Sequence, residues 1–281
     1  MEPLLVFVHI NKTAGTTVRY ILRSSYGARH CDVEPWHGSW TDPPFSTPDL
    51  RRVRKIYPHL ASIAGHRIFG HVDLEEPGTD IRYLTFLREP VAMCASRFQY
   101  QLDHRKKTHL IFEEWIQEDW VRNAQTQRIA GTSNVRDAIS VIDRKAMFVG
   151  LTERFDESMV LLKALRAPEL DIGYARVNVA KSSKLAKDLL SNAATRQMLV
   201  DANRADLELY EHVRRELYPA LQRDYGSSLD EAVAEYQSAS NKRFNRRNLA
   251  RYGLRQHVLH KPLLHLYRGK RTRTAAEKLL G

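Results

Sequence analysis

A short strand buried on both faces that turns directly into a helix commits a chain to an α/β architecture. Residues 4–10 read LLVFVHI, a brief β-rich apolar run bounded by Asn11 and Lys12, as expected of a strand covered on both sides. The next stretch, Thr16 to Ser24, sets Val18, Ile21 and Leu22 on one helical face. Further runs repeat the alternation. Strands are expected over 61–64, 81–87 and 146–150. Helices are expected from Pro90 to about Asp103, over 111–122 with Phe112, Trp115 and Ile116 inward, and after Asp156, which is expected to cap the helix carrying Met159, Leu162 and Leu165. Leu207, Tyr210, Val213, Leu217 and Leu221 mark a long amphipathic helix. The proline-rich stretch 32–60 reads as an irregular connection with one short helix near Leu50–Tyr57.

This pattern implies a P-loop-like three-layer fold, with a central, mainly parallel sheet and helices on both faces. The expected division is a domain over 1–225 and a basic helical extension over 226–281. Ligands of such sheets bind beyond the carboxyl ends of the strands. That rule brings three polar segments to one rim: Asn11–Thr17, Gly65–His71 and Arg88.

Charge enters because it is unevenly distributed. The chain carries a formal net charge of +11. Residues 242–281 alone hold 12 Lys/Arg against one acid, Glu277, so the body is neutral and the tail basic. Two cysteines, Cys31 and Cys94, are too few for a disulfide framework and read as reduced thiols. No segment reaches the ~20 apolar residues of a membrane span, and no leader pattern is visible. The expectation is a cytoplasmic protein. Few aromatics accompany the basic tail, which argues against nucleic-acid binding.

The segment His9-Ile10-Asn11-Lys12-Thr13-Ala14-Gly15-Thr16-Thr17 carries the chemistry. Backbone N–H groups at a small-residue turn and helix start make an anion cradle. Lys12 adds a point charge, and Thr16 and Thr17 offer hydroxyl donors. Lys12 precedes Gly15, so the Walker pattern is absent. On spacing alone an ordinary β–α turn with a surface lysine fits equally well.

The run FVHINKTAGTTVRYIL resembles the 5′-phosphosulfate motif of sulfotransferases that use PAPS (3′-phosphoadenosine 5′-phosphosulfate). It looks most like the branch containing the heparan sulfate 2-O-sulfotransferases and related carbohydrate enzymes, whose loop reads near HIPKTAGTS. YLTFLREPVAMCASRFQY is similar to that family's 3′-phosphate motif, with Arg88 followed eight residues later by Ser96. NAQTQRIAG, FVGLTERFDESMVLL and RVNVAKSSK resemble later blocks. The likeness spans residues 4–220 or so. Asn11 stands where the family usually has proline, and Thr17 where serine is common.

The resemblance implies sulfuryl transfer from PAPS to an acceptor hydroxyl, leaving PAP, with no metal required. The acceptor it implies is a carbohydrate; a lipid or small-molecule alcohol is the alternative. Asn11, Lys12, Thr13, Ala14, Gly15, Thr16 and Thr17 would hold the 5′ end of the donor, with Lys12 at the leaving oxygen. Arg88 and Ser96 would hold the 3′-phosphate, with Arg176, Lys181 and Ser182 in a later loop over the nucleotide. A histidine base suits neutral pH. His66 matches by its distance from Arg88. His71 is its rival, and Glu75 and Glu76 are the acidic alternatives. Gln125 and Arg128 either line the acceptor side or buttress the core.

The basic tail has two readings: leucines packed on the domain with charges in water, or a basic amphipathic segment that touches an anionic membrane surface or a polyanionic acceptor. Two other function classes stay open, a nucleotide-dependent kinase and a non-catalytic anion-binding module. Oligomeric state is not encoded in any visible pattern.

Overall fold

The first strand sits at the centre of the sheet. The strands are β1 (Leu4–Val8), β2 (His30–Asp32), β3 (Ser62–Gly65), β4 (Ile81–Leu87) and β5 (Phe148–Leu151). The order across the sheet is β2-β3-β1-β4-β5, and every pairing is parallel. This is a computed structural model, describing residues 3–34, 43–74, 77–105, 109–174, 184–239 and 244–264. All five residues of β1 are buried, which explains the unbroken apolar run.

Register sets the site. Val8 pairs with Gly65 on one side and Thr85 on the other. The Thr85 hydroxyl donates to the Val8 carbonyl at 2.9 Å. The carboxyl ends of β1, β3 and β4 are therefore nearly level. The segments after them leave from one rim, as expected from sequence.

The helices are α1 (Gly15–Tyr26), α2 (Thr47–Ile56), α3 (Pro90–Arg105), α4 (Phe112–Trp115), α5 (Ala124–Ala130), α6 (Val135–Arg144), α7 (Phe155–Leu165), α8 (Lys184–Ser191), α9 (Ala193–Ala202), α10 (Arg204–His212), α11 (Tyr218–Tyr225), α12 (Leu229–Ser238) and α13 (Arg246–Gly253). A π-helical turn, Val213–Leu217, joins α10 to α11, giving the long amphipathic helix that buries Leu209, Tyr210, Val213 and Tyr218. Connections leave the central strands in opposite directions. Right-handed crossovers then put α1 and the β4–β5 helices on opposite faces. A second apolar cluster joins α3 to α4, α8 and α9 through Phe98, Trp115, Leu189 and Leu199.

Three local expectations change. β2 is an added edge strand. Its sequence, His-Cys-Asp, has no alternation to reveal it. Residues 111–122 form only the short α4, followed by turns; Gln117 and Glu118 bond three residues back rather than four, which tightens and ends the helix. Phe112, Trp115 and Ile116 are still buried. Asp156 lies in the first turn of α7, whose cap position is Arg154, and instead accepts from the Tyr174 hydroxyl.

Residues 244–264 pack on the β2 edge through polar side chains. Arg19 and Arg23 donate to the two Asp32 carboxylate oxygens at 2.8 and 2.7 Å. His30 and the Tyr252 hydroxyl bond the same carboxylate, and Gln256 donates to the Asp32 carbonyl at 3.1 Å. Burial works against the Asp32 charge. The hydrogen bond from His30 and the charges of Arg19 and Arg23 outweigh it and hold the carboxyl well below its usual range. His30 is wholly buried and lowered by that burial, so it stays a neutral donor. Tyr252, Gln256, His260 and Leu264 form the buried face, whereas Leu254, Val258, Leu259 and Leu263 point outward. The packed-leucine reading of the tail thus holds for Leu264 and not for Leu254, Leu259 and Leu263. Polar contacts to Asp32 select the face instead. Both cysteines are free and buried. Among the described residues no helix is long and apolar enough to cross a membrane.

Removing the charge on which two arginines converge should leave them facing each other across a buried amide. Asp32→Asn is expected to destabilise the fold by about 3–5 kcal/mol in urea titration, whereas Tyr252→Phe should lose about 1 kcal/mol. Equal, small losses would show that Asp32 does not anchor the tail.

Candidate functional site

The turn after β1 is strained in a way that suits an anion. Lys12 and Ala14 both have positive φ, 66° and 60°, a region that disfavours L-residues by roughly 1–2 kcal/mol each. Turns of this kind aim successive N–H groups to one side. The first N–H groups of α1 have no intrahelical acceptor. No side chain caps them, and no acid lies in the first turn. The Thr13 hydroxyl is not available, because it donates to the Ile10 carbonyl at 3.1 Å. The Thr17 N–H likewise returns to the Ala14 carbonyl. Thr13 and Thr17 brace the turn through these groups, while half-buried Thr16 keeps an N–H and a hydroxyl at its mouth.

Two cations flank the turn. Arg88 Nη1 donates to the Lys12 carbonyl at 3.2 Å. Lys12 Nζ lies 4.7 Å from the centre of the Tyr100 ring. Burial, then Arg88, lowers the Lys12 ammonium from its ordinary range, and Asp103 partly offsets this. Adjacent cations beside uncapped N–H groups fit the phosphate end of a nucleotide. Ser96 lies one turn before Tyr100 on α3, so helical spacing puts it on the same face.

Arg88 is held from behind. Its N–H donates to Gln125 Oε1 at 3.0 Å, and Gln125 Nε2 returns a bond to its carbonyl at 2.9 Å. Buried Asp206 accepts from the N–H groups of Gln125 and Thr126 and from the Thr126 hydroxyl. Glu89 turns to the helix that follows. It accepts from Val91 and Ala92 at the start of α3.

His9 ties the turn to the next strand. A Cβ on Gly15 would stand 2.0 Å from the His9 ring, so only glycine leaves room. That ring stacks on His66, centroids 3.9 Å apart. His66 Nδ1 lies 3.2 Å from the His9 carbonyl. A carbonyl only accepts, so Nδ1 carries a hydrogen, and in the neutral ring the lone pair is then on Nε2. Arg128 donates to the His66 carbonyl.

His66 and Asn11 also line a cavity of about 600 Å³, with Arg67, Phe69, His71, Arg97, Trp120 and Arg128 among its walls. Both candidate histidines therefore face one space. His66 stands at the turn; His71 packs against Gly131 and is lowered by burial, then by Lys145 and Arg128. The pair left open by sequence resolves. Gln125 buttresses, and Arg128 both lines the cavity and positions His66. Arg176, Lys181, Ser182, Glu75 and Glu76 lie outside the described residues. Among the described residues no group of three His, Cys, Asp or Glu is arranged to hold a metal. Sequence reading missed His9, Arg67 and Arg97. His9 ends an apolar run, and the two arginines look like any surface pair in a helix or loop.

The family model described as galactose-3-O-sulfotransferase matches residues 104–261. That span begins at the end of α3, so it is independent of the turn and of the Arg88–Ser96 pair. Galactose-3-O-sulfotransferase 3 of Bos taurus is 30% identical over 241 residues, covering 74% of this chain and 55% of that protein. The Mus musculus and Homo sapiens proteins of the same name are 27% and 26% identical, each covering 86% of this chain and 62% of the relative. The chain thus spans between about half and two thirds of the length of these curated relatives.

Two outcomes follow from the His9 packing. Gly15→Ala should displace the ring and destabilise the fold by about 1–3 kcal/mol; a variant with unchanged thermal unfolding would mean the ring moves freely. Burial, then His66 and Arg19, holds His9 well below the ordinary histidine range. Its folded pKa is lower than its unfolded one, so acid favours unfolding. Stability in urea should decline as pH falls below about 6.5, and less steeply in His9→Phe. An identical slope in that variant would remove His9 from the account.

Proposed function

The chain belongs to the galactose-3-O-sulfotransferase family, and from that premise we propose that it transfers a sulfuryl group from PAPS to a hydroxyl of a carbohydrate. One observation carries the reading: the uncapped start of α1, with Lys12 and Arg88 beside it, opens at the same rim as a cavity that His66 faces.

The donor supplies the activated sulfuryl group when bound. The chain's own residues do the rest. Asn11 to Thr17 hold the 5′ end, mainly through N–H groups of the turn and α1. Lys12 and those N–H groups meet the charge that develops on the departing oxygen, which fixed donors stabilise without reorganisation. Arg88, braced by Gln125, and Ser96 hold the 3′-phosphate. Arg176, Lys181 and Ser182 complete the nucleotide site. His66 Nε2 takes the proton from the acceptor hydroxyl as the new bond to sulfur forms. His66 is preferred to His71 because its ring is aligned by the His9 carbonyl and stands next to the turn. The galactose in the relatives' names supports a galactose-type hydroxyl as the reacting group. The reaction needs no metal, since the cations at the turn do the work a divalent ion does in phosphoryl transfer.

Transfer of labelled sulfate from PAPS to a panel of terminal-galactose glycans, lipids and alcohols tests this. PAP without Mg²⁺ should raise the melting temperature. Lys12→Ala should reduce turnover on the order of 10²–10³-fold and weaken PAP binding. His66→Ala should reduce turnover on the order of 10²–10⁴-fold with PAP affinity kept, and His71→Ala should keep most activity. Stabilisation by ATP·Mg²⁺ but not by PAP would replace the transferase with a kinase.

A further inference from the structure

A helix that covers a domain turns its apolar side inward and its polar side to water. The segment 246–264 does the reverse. α13 runs on through a π-helical turn, Leu254–His260, and helical backbone continues to Leu264. Its buried face is mostly polar: Tyr252, Gln256 and His260, with Leu264 beside them. The Tyr252 hydroxyl bonds the Asp32 carboxylate, and Gln256 bonds the Asp32 carbonyl and the Tyr57 hydroxyl. These bonds fix the rotation of the helix and leave its apolar side facing out.

That side forms a row. Leu254, Val258, Leu259 and Leu263 are 65%, 58%, 45% and 47% exposed. Residues four or five apart in a π-helical turn stack on one side of it, which is the spacing of these four. Among the described residues seven large apolar side chains are exposed, and four of them fall in these ten positions. Single exposed leucines are ordinary on a protein surface; a row of them on one helix marks an interaction site.

The same side is cationic. Arg247, Arg251, Leu254 and Val258 follow at steps of four, three and four, the spacing of one helix face, and both arginines are exposed, as is Arg246. Residues 244–264 hold five Lys/Arg and no acid, and 265–281 hold five more against Glu277. Two of the cations are committed to the body: Arg255 donates to the Ile56 carbonyl at 2.7 Å, and Lys261 pairs with Glu34 at 3.5 Å.

Charge decides what can cover the row. A second copy of the chain would bring two sets of these arginines together, and residues 265–281 carry the same sign. A soluble polyanion would meet the arginines and leave the leucines in water. An anionic lipid surface meets both, with headgroups for the cations and an acyl boundary for the leucines.

We propose that α13 and its continuation to Leu264 lie flat on an anionic lipid surface, with Leu254, Val258, Leu259 and Leu263 in the acyl boundary and Arg246, Arg247 and Arg251 at the headgroups. The helix rests on the surface and does not cross it, because its other face is committed to Asp32. The proposal is independent of the sulfotransferase reading.

Co-sedimentation of the full chain with lipid vesicles tests it. Phosphatidylcholine vesicles with about 30% phosphatidylserine should bind about ten-fold more tightly than phosphatidylcholine alone. Leu254→Gln with Leu263→Gln should weaken that binding about ten-fold and leave the urea midpoint unchanged, since both side chains are exposed. Arg247→Gln with Arg251→Gln should remove most of the preference for the anionic vesicle, and added salt should narrow it. Equal binding to both vesicles, no binding, or anionic binding that survives the leucine replacements overturns the proposal. A dimer in sedimentation velocity that the leucine replacements disperse would assign the row to a second copy instead, and binding to heparin without binding to vesicles would assign the arginines to a polyanion. Sulfate transfer to a soluble glycan should be unchanged in the leucine variant, so lipid binding and activity fail separately.

Discussion

The His9 ring occupies the space that a side chain at residue 15 would need. From that position it stacks on His66 while its carbonyl meets His66 Nδ1. One residue thus couples the end of β1, the start of α1 and the segment after β3. The candidate anion-binding turn and the candidate base are therefore set relative to each other by packing, not by flexible loops. Neutrality of His9 matters here, since a protonated ring would repel both His66 and any cation nearby. Burial keeps it neutral.

A second chain of bonds works from behind the rim. Asp206 holds the start of α5, Gln125 holds the backbone of Arg88, and Arg88 holds the Lys12 carbonyl. Arg128, one turn along α5 from Gln125, bonds the His66 carbonyl. The same helix therefore braces both the turn after β1 and the segment that carries His66. It lies within the span matched by the family model, whereas the turn and Arg88 lie before it. The two halves of the site are drawn from separate stretches of chain and meet only in space.

Global charge misleads about this molecule. The +11 belongs to the C-terminal tail, where Asp32, not leucine packing, determines which face is buried. Local charge is distributed differently: Arg67, Arg97 and Arg128 line one cavity beside His66.

The sequence by itself determined the architecture and picked out the turn that forms the candidate anion site. An unbroken apolar run needs two covering layers, and a small-residue turn before a helix leaves N–H groups unsatisfied; both facts are local and survive translation into three dimensions. It also put His66 first as the candidate base, with His71 as its rival. Tertiary structure decided the rest. β2 has no pattern, because three residues cannot show a period. The roles of Gln125 and Arg128 depend on which way α5 faces. His9 looks like the end of a strand until Gly15 folds back against it. The cavity beside His66 was invisible because the arginines that line it are about thirty residues apart, and only the level ends of β1, β3 and β4 bring their elements to one rim.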